Sequence, residues 1–227
     1  MPEKLSNSID PLWNKIHKTG WGKYPSENLV RFLCRYKKDA KRFNNKNIIL
    51  DSGCGGGANT KVMVAEGYKV YALDGSAEGV AAASKLTKCL KVVYKVGDFL
   101  DIDNFFLPGY FDIICDVVAV YANKIDDIKN IFEKIHKLLK KGGIFYSTCF
   151  TTKTTGFGEG VELEKSTFTD MRVGSLKGRG VAHFFTEKEV EELYGRYFKI
   201  ISIDRISYTE NNGSNFIDTF CIISKKR

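Results

Sequence analysis

The stretch Asp51-Ser52-Gly53-Cys54-Gly55-Gly56-Gly57-Ala58 constrains this chain more than any other. It follows the apolar run Ile48-Ile49-Leu50 and leads into a segment with helical character, so it reads as strand, sharp turn and helix start. Gly53, Gly55 and Gly57 remove side chains where the backbone has to bend and where a bound molecule can come close. A molecule there would meet free N–H groups at a helix N-terminus.

The surrounding pattern repeats the same unit. Strands are expected at Ile48–Asp51, Lys69–Leu73, Val92–Val96, Phe111–Cys115 and Gly143–Cys149, with helices at Asn59–Glu66, Ala77–Lys88 and Asp126–Lys140 between them. That alternation implies a parallel sheet with helices on both faces. The helix at 126–140 is the clearest, because Ile128, Ile131, Phe132, Ile135, Leu138 and Leu139 keep a 3.6-residue period. Asp126 and Asp127 suit its positive end, and Gly142-Gly143 is expected to stop it with a left-handed cap. Thr186 and Glu189 form a capping box that opens another helix. The rhythm breaks at the C-terminus, where Lys199–Ile206 and Asn215–Ser224 flank a turn-rich linker and read as an antiparallel pair. Thr151–Val181 is rich in Gly and Thr and has no clear period, which marks a functional or disordered loop.

With 227 residues, 43% of them hydrophobic and 27% charged, the chain can bury one domain core, and disordered or disulfide-scaffold classes are excluded. The net charge of +8 favours anionic partners in general without choosing among them. Part of it lies in Arg35-Tyr36-Lys37-Lys38 and Lys41-Arg42, which suit the negative end of a helix. The six cysteines contain no C-x-x-C pair and read as free thiols of a reducing compartment. His17, His136 and His183 stand far apart, so no metal site is expected. Met1–Asp10 lacks an apolar core and no apolar run approaches the ~20 residues of a membrane span, so a cytoplasmic location is expected.

Two readings of the glycine turn stay open on spacing alone. Gly53-x-Gly55-x-x-Ala58 fits a relaxed dinucleotide fingerprint. Asp51-x-Gly53-x-Gly55-x-Gly57 resembles the first motif of the class I S-adenosylmethionine-dependent methyltransferases, whose leading carboxylate suits a cationic ligand better than a pyrophosphate. The resemblance continues through Asp74 after Tyr71-Ala72-Leu73, through Asp98-Phe99, through Phe111–Asp116 and through Lys140-Lys141-Gly142-Gly143, with Lys where the family usually has Pro. It spans about residues 47–150 and 184–227.

The resemblance implies an α/β fold, a Rossmann-like doubly wound seven-stranded sheet, mostly parallel with an antiparallel C-terminal strand. It implies S-adenosyl-L-methionine as cofactor and S-adenosyl-L-homocysteine as product. Asp51, Gly53, Cys54, Gly55 and Gly57 would hold the methionine end; Asp74, with Gly75 and Ser76, the ribose; Asp98 and Phe99 the adenine; and Asp116 would face the methyl group. Residues 1–46 would form lid or cap helices before a methyltransferase domain at 47–227. In them Trp21-Gly22-Lys23-Tyr24-Pro25-Ser26-Glu27 resembles a cofactor-covering segment. Tyr24 is expected against the sulfonium by cation–π attraction, and Arg31 on the cofactor carboxylate.

The expected reaction is methyl transfer to a small-molecule acceptor. The preferred site is a hydroxyl of an anionic metabolite such as a nucleotide-linked or surface-polysaccharide sugar precursor. Asp116, Tyr121 and His183 are the catalytic candidates. The insertion at about 151–181 is expected to bind the acceptor, with Lys177 and Arg179 gripping its anion beside Tyr121 and His183. An RNA methyltransferase is an alternative on charge, although the region after the fourth strand, Asp116-Val117-Val118-Ala119-Val120-Tyr121, lacks the Pro pair usual for base amino groups. A nicotinamide-dependent oxidoreductase and a non-catalytic cofactor-binding module are the others.

Overall fold

A computed structural model describes residues 11–20, 22–38 and 47–227. The readings of Met1–Asp10, Trp21 and Lys41-Arg42 lie outside these. In chain order the helices are α1 Leu12–Lys18, α2 Glu27–Lys38, α3 Ala58–Ala65, α4 Ala77–Leu86, α5 Ile102–Phe105, α6 Ile125–Leu138 and α7 Glu187–Tyr197. The strands are β1 Ile48–Ser52, β2 Lys69–Asp74, β3 Val92–Val96, β4 Phe111–Val117, β5 Leu139–Phe150, β6 Val161–Glu164, β7 Thr167–Thr169, β8 Ala182–His183, β9 Lys199–Glu210 and β10 Asn215–Lys225.

Seven strands make one sheet in the order β3-β2-β1-β4-β5-β10-β9. The first five run parallel, and β10 is antiparallel to both neighbours, as the doubly wound reading expects. Successive side chains of a strand face opposite ways, and the two apolar cores follow that alternation. Ile49, Val70, Ile113, Ile144 and Tyr146 meet Leu29, Phe32 and Leu33 of α2 and Met63 of α3. Leu50, Ile114 and Phe145 meet Ile128, Ile131, Phe132 and Ile135 of α6 and Val190 and Tyr194 of α7. Thus α2 is built into the layer that covers one sheet face, and α1 lies elsewhere, against α4.

Three local expectations come out differently. The helix at 126–140 ends at Leu138, and β5 begins at once with Leu139 in extended backbone. Gly142, at φ +76°, therefore serves an irregularity in β5 and does not cap the helix. Thr186 accepts from Glu189 N as an N-cap, but the Glu189 carboxylate bonds His183 instead of completing the box. The segment 151–181 is not an open loop: β6, β7 and β8 form a small antiparallel sheet, closed over by Phe157, Phe168 and Phe184 in edge contacts. Glu164 of this unit accepts from Ile125 N at 2.6 Å, capping α6, where Lys124 makes no side-chain cap. Among the described residues no helix is long and apolar enough to cross a membrane.

Candidate functional site

A cavity of about 680 Å³ opens at the carboxyl ends of the parallel strands, where an α/β sheet binds its ligands. Gly53, Cys54, Gly55 and Gly56 form its floor. The turn has its own packing reasons for glycine. Gly53 sits at φ +82°, and a Cβ there would lie 2.2 Å from Ala119 Cβ; at Gly57, φ +83°, it would lie 2.6 Å from Ala83 Cβ of α4. Most of the turn's donors are also engaged internally. Gly53 N and Cys54 N donate to Leu73 O at 2.8 and 3.0 Å, and Gly55 N donates to Asp74 Oδ2 at 2.7 Å. The expectation of a row of free N–H groups is therefore not met.

Asp74 ends β2 and borders the cavity with Gly75 and Ser76. Its Oδ1 accepts from Ser76 N at 2.7 Å, so one carboxylate ties the glycine turn to the start of α4. Burial raises its pKa, against the pull of these two donors and of His17. Asp98 and Phe99 follow β3 and line the same cavity; Asp98 Oδ1 accepts from Leu100 N at 2.8 Å.

Asp51 lies beneath the turn, 1% exposed and off the cavity surface. Its Oδ2 accepts from Thr60 Oγ1 at 2.5 Å, while Oδ1 is buried without a hydrogen-bond partner. Burial, then the nearby charges of Asp74 and Asp116, push its pKa up to about 7. A buried carboxylate with an orphaned oxygen beside two further acids is a field waiting for a cation.

Asp116 does not face the cavity. It is 1% exposed and accepts from Ala119 N and Val120 N at 3.0 Å each and from Ser147 Oγ at 2.7 Å. Tyr194 OH in turn donates to Ser147 Oγ at 2.8 Å. Burial raises the pKa of Asp116 to about 6. Its work is to shape the end of β4 and the loop after it, where Val117, Val118 and Ala119 do line the cavity. Val118 holds φ +46°, a strained conformation for a β-branched residue.

Of the remaining candidates, Tyr24 borders the cavity and is 88% exposed. Arg31 does not border it; its guanidinium pairs with Glu27 at 2.6 Å, on the α2 surface. Tyr121 is buried edge-on to Phe150 behind the wall, and burial lifts its phenol pKa far up. His183 is 1% exposed with both ring nitrogens engaged, Nδ1 with Thr167 Oγ1 at 2.7 Å and Nε2 with Glu189 Oε1 at 3.1 Å. Lys177 and Arg179 do not line the cavity either.

Two contributors escaped sequence reasoning. Trp13 and His17 of α1 line the cavity, with His17 packed over Gly55 and Gly79. α1 is fastened there by Asn14 Oδ1, which accepts from Ser76 Oγ at 2.8 Å, and by Lys18 with Glu78 at 3.3 Å. The i, i+4 spacing of Trp13 and His17 was a signal for one helix face. Ile206 and Tyr208 of β9 and Ile217 and Thr219 of β10 form the far wall. Alternation in these strands is visible in the sequence, but nothing in it says which face meets a cavity.

Comparison with known proteins agrees with this geometry. Residues 50–147 match the family model of a methyltransferase domain. A ubiquinone biosynthesis O-methyltransferase of Pelagibacter ubique is 31% identical over 127 residues, 55% of this chain and 50% of that protein. The chain spans about half the length of the sequence relatives it matches. Among solved structures, a SAM-dependent methyltransferase of Methanosarcina mazei superposes with TM-score 0.70 at 22% identity, covering 82% of this chain and 95% of that one. The 1,6-didemethyltoxoflavin-N1-methyltransferase of Burkholderia thailandensis, solved with 1,6-didemethyltoxoflavin and S-adenosylhomocysteine, gives 0.67 at 15% identity over 94% and 83%. Residues 50–147 thus match a methyltransferase domain, and the strand order is the fold of these S-adenosylmethionine-dependent methyltransferase structures.

Proposed function

We propose that the chain binds S-adenosyl-L-methionine in the 680 Å³ cavity and passes its methyl group to a small-molecule acceptor. The observation that carries this reading is the convergence of the glycine turn after β1, Asp74 after β2 and Asp98 after β3 on one cavity. The residues fit the cofactor's charges. Its sulfonium and ammonium groups suit the acids of the site, above all the orphaned Asp51 oxygen. Its carboxylate suits the positive ends of α2 and α3, which border the cavity through Ser26, Asn28, Ala58 and Asn59. Each Asp74 oxygen accepts one backbone N–H and keeps a lone pair for the ribose hydroxyls, and Asp98 borders the space for the adenine. When bound, the cofactor supplies a methyl group on positively charged sulfur.

The chain's own part is to align acceptor and donor and to exclude water. Trp13, His17 and Tyr24 stand over the cofactor half. Asp116 is a positioning residue for the loop 117–119, and Tyr121 and His183 support the wall from behind. The finer expectation of an anionic sugar precursor has no support in the lining: Lys177 and Arg179 stand outside it, and among the described residues that line it none is Lys or Arg. Against the nicotinamide reading stands the methyltransferase-domain match over residues 50–147.

Isothermal titration with S-adenosylhomocysteine and with NADP(H) tests the reading, because only the first is expected to bind. Asp74→Ala should weaken that binding by roughly 1.5–3 kcal/mol, the worth of hydrogen bonds to a charged group. Unchanged affinity would remove Asp74 from the cofactor.

A further inference from the structure

The far half of the cavity is a sheet face. Strand pairing places Ile217 opposite Tyr208 and Thr219 opposite Ile206, and Thr219 is also opposite Phe150 on β5. Ile206, Thr219 and Phe150 therefore form one row across three neighbouring strands, about 10 Å wide. Val118 extends the apolar surface from the loop after β4.

Alternation sends Asp218 and Arg205 to the other side, while Asp204 and Glu210 share the face of Ile206 and Tyr208 but lie outside the cavity lining. Asp218, between the cavity residues Ile217 and Thr219, pairs on that other side with Arg205, the neighbour of Ile206, Nη2 to Oδ2 at 2.7 Å. Two threonine hydroxyls at the tile are already engaged with backbone: Thr148 Oγ1 accepts from Val118 N at 3.0 Å, and Thr219 Oγ1 donates to Ile206 O at 3.3 Å. An anionic acceptor laid on this surface would lose hydration and meet no Lys or Arg among the described lining residues. A planar apolar body would replace water over the whole tile at a gain of ~25 cal/mol per Å².

Resting on the methyltransferase reading, we infer that the acceptor is a planar, uncharged, ring-bearing molecule that lies flat on the tile of Ile206, Tyr208, Ile217, Thr219 and Phe150. In the transfer, a lone pair of the acceptor heteroatom forms the new bond to the methyl carbon. The carbon–sulfur electron pair stays on sulfur, which becomes neutral, and the proton of the acceptor atom goes to solvent water. Ile206 and Tyr208 set specificity and do not touch the cofactor half.

The test is release of S-adenosylhomocysteine by the full chain with two acceptor sets. One is planar and neutral (catechol, 2-naphthol, 8-hydroxyquinoline), the other anionic (glucose 6-phosphate, UDP-glucose). Turnover within the neutral set supports the inference. Ile206→Lys and Tyr208→Ala should then raise KM for those compounds at least tenfold, with kcat within about twofold and S-adenosylhomocysteine affinity unchanged by calorimetry. Both positions are at least partly exposed, and the calorimetry doubles as a folding check. Turnover confined to the anionic set, or none with any neutral compound while S-adenosylhomocysteine binds, overturns the inference and leaves the cofactor reading standing. Failure to bind S-adenosylhomocysteine overturns both.

Discussion

Replacing Asp51 with Asn is the sharpest perturbation the structure offers. The side chain is 1% exposed, one oxygen has only Thr60 Oγ1 and the other has no partner. Its carboxyl is raised from 3.8 to about 7 in the folded chain, by burial first and by Asp74 and Asp116 next. A raised folded pKa means that the folded state binds the proton more tightly than the unfolded state does. Stability from this group is therefore complete below pH 3.8 and declines as pH rises through 7. The loss by pH 8 is about 4 kcal/mol at 1.36 kcal/mol per pH unit, and relaxation around the charge brings it to about 2–4 kcal/mol. Asn cannot ionise, and its oxygen still accepts from Thr60. Urea denaturation without ligand should show Asp51→Asn equal to the parent at pH 4 and more stable by that amount at pH 8. The same variant should bind S-adenosylmethionine less tightly, because the anion that balances a cationic ligand is gone. A variant less stable than the parent at pH 8, with an unchanged m-value, would refute the reasoning.

Asp116→Ala leaves two backbone N–H groups and the proton of the Ser147 hydroxyl without their acceptor, so denaturant midpoints should report a loss of roughly 3–5 kcal/mol. Arg205→Ala strands the buried Asp218 carboxylate, whose pKa is held low, against its burial, by hydrogen bonds from Arg205 and Thr151. Thermal denaturation should report a loss of about 2–3 kcal/mol, because the Thr151 hydroxyl remains. Val118→Asn relieves a β-branched side chain at φ +46° and should raise stability by about 1 kcal/mol while lowering kcat/KM, since the strained loop forms part of the cavity wall.

The sheet and the strand ends that border the cavity were legible because their signals are local. A strand that ends in Asp51 and three alternate glycines, and strands that end in Asp74 and Asp98, give their positions without knowledge of distant contacts. Roles that depend on direction were not legible. Asp116 ends a strand as Asp74 does, yet its carboxylate turns inward to Ala119 N, Val120 N and Ser147. His183 lies beside Phe184 and Phe185 in sequence, but its two nitrogens are consumed by Thr167 and Glu189, sixteen and six residues away. Lys177 and Arg179 belong to a unit whose three short strands close on an aromatic cluster, and local composition does not report such a closure. The apolar tile exists only through pairing of β9 with β10 and of β10 with β5, which sets Thr219 beside Phe150, 69 positions away.

A crystal structure of the chain with S-adenosylhomocysteine tests the assignment of the cavity most directly. Its ribose should lie against Asp74, its adenine beside Asp98 and Phe99, and its amino-acid end over Gly53 to Gly56, with the sulfur turned toward Val118 and the hairpin wall. Density for the ligand outside this cavity, or contacts that leave both Asp74 and Asp98 untouched, would contradict it.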